Sequence, residues 1–180
     1  IFSQEVISMT VTEKDGCVFL SDVDCFNMEL CLDCGQAFRF GKKENGLLHG
    51  VAGGTVLDAE KYADGYVFYH TDLDTFNSFW KNYFDLDRDY GKIVSSFDDV
   101  YLSRAVREYY GIRILRQEPW EALCSFIISQ NNNIPRIKGI IERLCKEFGD
   151  RIGEDAYSFP SYELLAEKTP QELAVLRAGF

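Results

Sequence analysis

Apolar and polar positions alternate with a period of two through the first seventy residues. ISMTVTEKDGCVFL, QAFRFGK, GLLHGVA, TVLDAEKY and YVFYHT read as strands, separated by turn-forming residues. Asp15-Gly16, Asn45-Gly46, Gly53-Gly54 and Asp64-Gly65 accept the positive φ of tight hairpin turns. The pattern predicts an antiparallel sheet over residues 1–70, a hairpin followed by a meander. The less periodic DVDCFNMELCLDCG between them is expected to be a connection with a short helical turn.

From Asp74 the period becomes helical. DTFNSFWKNYFDL puts Phe76, Phe79, Trp80, Tyr83 and Phe84 on one face behind an aspartate cap, a density of aromatics expected in a core. YGKIVSSF and DVYLSRAVREYYG predict two more helices, the second closed by Gly111 at its C′ position. IRILRQE bridges to a helix opened by Pro119, with Trp120, Leu123, Cys124, Ile127 and Ile128 as its apolar face. The next helix, capped by Asn133 and ended by Gly149, presents Ile137, Ile140, Ile141, Leu144, Cys145 and Phe148. SYELLAEK and TPQELAVLRAG follow, the latter opened by the capping box Thr169-Pro170-Gln171-Glu172. Strands first and helices afterwards make an α+β protein.

Composition and charge narrow the class. With 46% hydrophobic residues, the 180-residue chain has enough apolar side chains for one substantial core or two small ones. No apolar run is long enough to span a bilayer, and IFSQEVISMT lacks the features of a signal peptide, so a cytoplasmic location is the expectation. A chain that starts at Ile1 and stops at LRAGF is expected to be part of a longer protein. Net charge is −10, but residues 1–110 hold 10 basic against 19 acidic residues, whereas residues 111–180 hold 9 against 10. The acidic balance speaks against polyanion binding by the first half and leaves the second half permissive.

Six cysteines add little chemistry. Cys124 and Cys145 fall in apolar helix stripes, where a thiol acts as a small hydrophobe. Cys31 and Cys34 have the spacing of half a zinc site or a redox pair, yet no second Cys-x-x-Cys or Cys-x-x-His accompanies them, and His49 and His70 are separate residues in expected strands. Lys138, Lys146 and Lys168 read as solvated surface charges. More suggestive is SQNNNIPR at 129–136, where three asparagines join two apolar helices. Asparagine caps helices and tolerates turns, and its amide also offers a donor and an acceptor to a ligand.

CGQAFRF at 34–40 and RILRQEPWEALCSFIISQNNNIPRIKGIIERLCKEFG at 113–149 resemble the 8-oxoguanine DNA glycosylase family, within the helix-hairpin-helix glycosylase superfamily, in motif, order and separation. The likeness runs from about residue 17 to the end, through YSFPSYELLA and LRAGF. It implies a sheet domain with flanking helices over residues 1–112. Residues 113–180 would then be the start of an all-helical domain, ahead of its helix-hairpin-helix.

The implied activity is base-excision repair of double-stranded DNA by a monomer. The enzyme flips 8-oxoguanine out from opposite cytosine, cuts its glycosidic bond, and cleaves the strand at the abasic site through a Schiff base. No metal, organic cofactor or membrane is implied. By matching positions, Asn131 fills the vacated gap and Arg136 reads the orphan cytosine. The Gly35 carbonyl accepts from the N7–H that marks 8-oxoguanine, and Phe180 is a wedge near the orphan base. The family's catalytic lysine and aspartate lie in GVGxKxA-like and VPxDxH-like segments, and neither occurs in these 180 residues. The chain by itself is therefore expected to be inactive. Two other readings stay open: an alkylated-purine glycosylase of the same superfamily, and a non-catalytic sheet domain that binds protein or DNA.

Overall fold

The computed structural model of the protein describes residues 9–179. Strands β1 (Thr10–Lys14), β2 (Cys17–Ser21), β3 (Phe40–Lys42), β4 (Leu48–Ala52), β5 (Thr55–Tyr62) and β6 (Gly65–Tyr69) form one antiparallel sheet in the order β1-β2-β6-β5-β4-β3. The expected hairpin and meander are both present among the described residues; the part of the predicted sheet that falls on residues 1–8 lies outside them. Strands β3 to β6 neighbour one another in sequence order, and the β1–β2 hairpin adds along β6, with Val18 opposite Phe68.

Turn chemistry matches the sequence at two of four sites and differs at two. Asp15-Gly16 and Gly53-Gly54 have positive φ at both residues, as two-residue hairpin turns of the primed kind require. The Asn45-Gly46 turn is wider, because Lys43 N–H donates to the Leu47 carbonyl at 2.8 Å and only Gly46 has positive φ. Tyr62 pairs with Gly65, so Ala63-Asp64, not Asp64-Gly65, is the turn. Gly65 serves packing instead: a Cβ there would lie 1.8 Å from the Leu20 carbonyl oxygen. The expected strand QAFRFGK is also shorter, since residues 36–39 lie outside the ladder.

The chain divides into two compact units, Ile1–Cys34 with Asp58–Arg116, and Gly35–Leu57 with Gln117–Phe180. In the first, helix α1 (Met28–Asp33) is capped by Asn27. Helices α2 (Leu73–Thr75) and α3 (Lys81–Tyr83) are continuous through a π turn at Phe76–Trp80. The cap is Asp72, whose side chain accepts from Thr75 N–H at 2.7 Å; Asp74 lies inside the first turn. Phe76, Trp80, Tyr83 and Phe84 are buried as the pattern predicts, with Phe68 edge-on to Phe76 at 5.1 Å. Helices α4 (Tyr90–Ser95) and α5 (Val100–Glu108) follow. Gly111 is not the C′ residue of α5, which ends at Glu108. It sits where a Cβ would come within 2.7 Å of the Asn27 nitrogen.

The segment read only as a bridge carries this unit's buried hub. Arg113 is 1% exposed and donates to the carbonyls of Asp24, Cys25, Asp85 and Arg88 at 2.7–3.1 Å, with its guanidinium over the Tyr90 ring. A buried charge persists only when its donors are satisfied, and four carbonyls do that here. Cys31 belongs to the same cluster: its sulfur accepts from Arg113 N–H and donates to the Gly111 carbonyl, and burial pushes the thiol up to about 11.

The second unit contains α6 (Pro119–Ser129), α7 (Ile134–Phe148), α8 (Tyr162–Ala166) and α9 (Pro170–Leu173), the last running into a 3-10 turn at Ala174–Leu176. Ile137, Ile140, Ile141, Leu144 and Cys145 form its core with Ile128 and Leu176, as the α7 pattern predicts. Helix α6 departs from expectation. It buries Glu121, Ser125 and Ile128, while Leu123 and Ile127 are about half exposed. Glu121 turns inward because a buried arginine, described below, draws it there. No helix among the described residues is long and apolar enough to cross a membrane.

Candidate functional site

The asparagine joint divides its labour. Asn133 caps α7, its side-chain oxygen accepting from Arg136 N–H at 3.0 Å. The Asn132 amide donates to the Ile128 carbonyl at 2.8 Å, closing the last turn of α6. These two are occupied in building the turn, as the structural reading of the triplet requires. Asn131 differs. Its φ is +57°, a left-handed conformation that asparagine tolerates, and its exposed amide makes no hydrogen bond among the described residues.

Arg136 projects from the first turn of α7 beside that loop. It is exposed, and its Nη2 lies 3.3 Å from the Ala178 carbonyl and 3.5 Å from that of Arg177. Seven residues along the same face, Arg143 grips the Leu176 carbonyl through Nε and Nη2 at 3.0 and 2.7 Å. The two arginines hold the 176–178 turn, in which Arg177 has φ +51°. Gly179 fits because a Cβ would meet Arg136 Nη2 at 2.7 Å. The structure thus joins Arg136 to the residues leading into Phe180, while Asn131 stands five positions earlier, in the loop that leads into α7, with no hydrogen bond to either among the described residues; Phe180 itself lies outside the described residues.

Gly35 belongs to the same unit but touches none of these residues through a hydrogen bond. Its φ is +84°, and its carbonyl has no hydrogen-bond partner among the described residues. The side where a Cβ would stand is open to beyond 4 Å, so the protein demands glycine here for its backbone angle, not for crowding.

The start of α6 holds this motif. The Gln117 amide donates to the Gln36 carbonyl at 2.8 Å, and Arg39 Nη1 meets Glu121 Oε2 at 3.4 Å with side chains only 8% and 12% exposed. Arg39 Nη2 also donates to the Tyr157 carbonyl. Burial pushes the Glu121 carboxyl above its ordinary range, with Arg39 opposing that shift. Gln117 and Glu121 grip the motif at one end of α6, and the asparagine loop leaves the other. Eleven residues at 1.5 Å each separate these ends by about 16 Å. Sequence reasoning missed Gln117, Glu121 and Arg143. A glutamate inside the apolar run WEALCSFIIS was the one signal available, since a charge there needs a partner.

Two of the three lysines taken as solvated are engaged. Lys138 is half-buried and donates to the Phe40 carbonyl at 2.9 Å, and Lys168 lies over the Phe148 ring at 5.7 Å; Lys146 is exposed. No metal-binding group of three or more His, Cys, Asp or Glu residues occurs among the described residues.

The family described as 8-oxoguanine DNA glycosylase, N-terminal domain, matches residues 18–123, more than half of the 180. The chain belongs to this family. An N-glycosylase/DNA lyase of Saccharomyces cerevisiae is 49% identical over 75 residues, which are 39% of this chain and 20% of that protein. A DNA-3-methyladenine glycosylase of Bacillus subtilis is 31% identical over 100 residues, 53% of this chain and 33% of that one. Among solved structures, MBOgg1 in complex with a low-affinity DNA ligand is 40% identical with a TM-score of 0.90, covering 96% of this chain and 61% of that one. The Clostridium acetobutylicum 8-oxoguanine glycosylase/lyase, in complex with double-stranded DNA containing cytosine opposite 8-oxoG, is 38% identical with a TM-score of 0.88. That match covers 95% of this chain and 60% of the other. The chain therefore spans less than two thirds of the length of these family relatives.

Proposed function

We propose that the complete protein is a DNA glycosylase/abasic-site lyase that removes 8-oxoguanine opposite cytosine from double-stranded DNA, and that this chain supplies the groups that sense the lesion and its partner. The observation that carries the reading is the split within the asparagine triplet. Two amides build the turn, and the third stands exposed on a left-handed backbone, five residues before an exposed arginine. A flipped nucleotide leaves a gap and an unpaired cytosine. Asn131 offers a donor and an acceptor to that gap. Arg136 offers a planar fork of N–H donors to the acceptors of the base. Its contacts to residues 177 and 178, at 3.3–3.5 Å, are long enough to yield to stronger ones. The unpartnered Gly35 carbonyl suits the N7–H of the oxidised purine, and Phe180 would follow the turn that Arg136 holds. Attack of an amine on the sugar C1′ belongs to the complete protein.

Likeness to a 3-methyladenine glycosylase keeps the alkylated-purine reading as the second one. Single-turnover excision by the complete protein, on duplexes with C, T, G or A opposite 8-oxoguanine and on one bearing 3-methyladenine, separates them. Arg136→Ala should flatten the preference for cytosine by one to two decades, since a good base contact is worth about 1–3 kcal/mol of discrimination. Unchanged opposite-base ratios in the folded variant would refute the role of Arg136. Faster loss of 3-methyladenine than of 8-oxoguanine would favour the second reading, and excision of neither would favour a non-catalytic binding domain.

A further inference from the structure

The Cys-x-x-Cys pair stands at the end of α1 and leads straight into Gly35, and the reading above gives neither thiol a role. Cα atoms three residues apart on a helix are about 5 Å apart. That falls inside the roughly 4.4–6.8 Å that disulfides span. Cys34 is the capping residue, at φ −94° and ψ 13°, and its sulfur folds back over the last turn to donate to the Cys31 carbonyl at 3.5 Å. Both side chains therefore belong to one side of that turn.

The two thiols have opposite surroundings. Cys34 is exposed, whereas Cys31 is buried, its sulfur held between the Arg113 N–H at 3.2 Å and the Gly111 carbonyl at 3.4 Å. A dissolved oxidant meets Cys34 first, and Cys31 reacts only with a sulfur already at its side. Cβ atoms one helical turn apart are about 5–6 Å apart. A disulfide brings them to about 3.5–4.5 Å, so closing the bond tightens the end of α1 by about 1–2 Å. Cys34 has no further helical turn to hold it, and Gly35, at φ +84°, has the backbone freedom to follow. The Cys31 sulfur has to leave Arg113 and Gly111.

We propose that Cys31 and Cys34 form a reversible disulfide, which withdraws Cys31 from the Arg113 hub and resets the backbone at Gly35. With a small-molecule disulfide such as oxidised glutathione as oxidant, the Cys34 thiolate attacks one of its sulfurs and expels a glutathione thiolate. The Cys31 thiolate then attacks the Cys34 sulfur of the mixed disulfide and expels the second. The protein gives up two protons and two electrons, and the oxidant becomes two thiols; a dithiol reductant reverses both steps. The second step is the slow one, because burial pushes the Cys31 thiol up to about 11, and it accelerates as pH rises.

The proposal does not rest on the DNA reading and is tested without DNA, on the complete protein. After equilibration with oxidised glutathione and quenching in acid, cleavage after glutamates leaves Cys31 and Cys34 alone in residues 30–44, and Cys17 with Cys25 in residues 14–29. The 30–44 fragment should lose the mass of two hydrogens and regain it with dithiothreitol. In Cys34→Ser it should stay unchanged, because the oxidant does not reach Cys31. By NMR, oxidation should shift the Gly35 amide and speed exchange of the Arg113 amide at least about tenfold, the mark of a lost acceptor, and should do neither in Cys34→Ser. No oxidation of the fragment, a glutathione adduct that persists on Cys34, a link between the two fragments, or oxidation that leaves either amide as it was would overturn the proposal.

Discussion

Glu121 offers the sharpest test of how the Gly35 motif is held. Glu121→Ala removes the carboxylate that faces Arg39 at 3.4 Å, in a place where the arginine side chain is 8% exposed and water cannot replace the lost partner. Breaking a buried ion pair from one side costs about 3–5 kcal/mol. Two features pull the figure down here. Arg39 keeps the Tyr157 carbonyl, and the 3.4 Å contact is long for a charge-assisted bond. About 2–3 kcal/mol is the expected loss, read as a lower urea midpoint with unchanged m-value. Replacing both partners, as Arg39→Met with Glu121→Leu, should restore most of it, because an apolar pair carries no stranded charge.

The pH dependence of the same pair has a definite sign. Since burial raises the folded-state carboxyl above its unfolded value, the folded chain binds the extra proton. Glu121 therefore contributes stability that is complete below the ordinary glutamate range and is lost as pH rises through the folded value. Glu121→Gln should remove that slope. A loss under about 0.5 kcal/mol for Glu121→Ala would mean the two side chains are solvated in solution, and the account of a motif clamped to α6 would fail.

Gly65→Ala should unfold the sheet or cost at least about 3 kcal/mol by urea denaturation, because its Cβ would meet Leu20 backbone at 1.8 Å, whereas Gly46→Ala, with φ +87° and open space, should cost only about 1–2 kcal/mol. Iodoacetamide at pH 8 should label exposed Cys34 well before buried Cys31 and Cys145, whose thiols at about 11 hold roughly one thiolate in a thousand at that pH. Rapid labelling of Cys31 in the folded chain, scored by mass spectrometry, would contradict its place in the Arg113 cluster.

Much of the fold was legible because local patterns and tertiary burial agree. Strand alternation, the α7 stripe and the Thr169–Glu172 capping box each specify their element without help from distant residues. Failures cluster where a long-range partner overrides the local pattern. Helix α6 presents a continuous apolar face in sequence, yet Arg39, 82 positions away, draws Glu121 inward and rotates the buried face. Gly65 looks like a turn glycine until β2 is laid against it. Arg113 looks like any basic residue in a loop, and only the arrival of four carbonyls from residues 24, 25, 85 and 88 makes it a hub. At the site, Asn133 was readable as a cap. That Asn132 would also be consumed, leaving Asn131 exposed, depends on the turn geometry.

That division makes Asn131→Gly informative, because it separates what the backbone needs from what the side chain does. At φ +57° glycine is at least as well accommodated as asparagine, so the backbone conformation costs it no strain. The lost amide makes no hydrogen bond among the described residues, so no partner is stranded. Greater freedom of glycine in the unfolded chain sets the expected penalty, about 0.4–1 kcal/mol in urea. Asn133→Ala, by contrast, deletes a cap and should cost about 1 kcal/mol. If Asn131 fills the gap left by a flipped base, the complete Asn131→Gly protein should lose excision whichever base stands opposite, because the flipped state is weakened and not one particular pairing. Arg136→Ala should instead change the ranking of opposite bases. An Asn131→Gly protein with wild-type single-turnover rates would show that the third asparagine, like its neighbours, only shapes the turn.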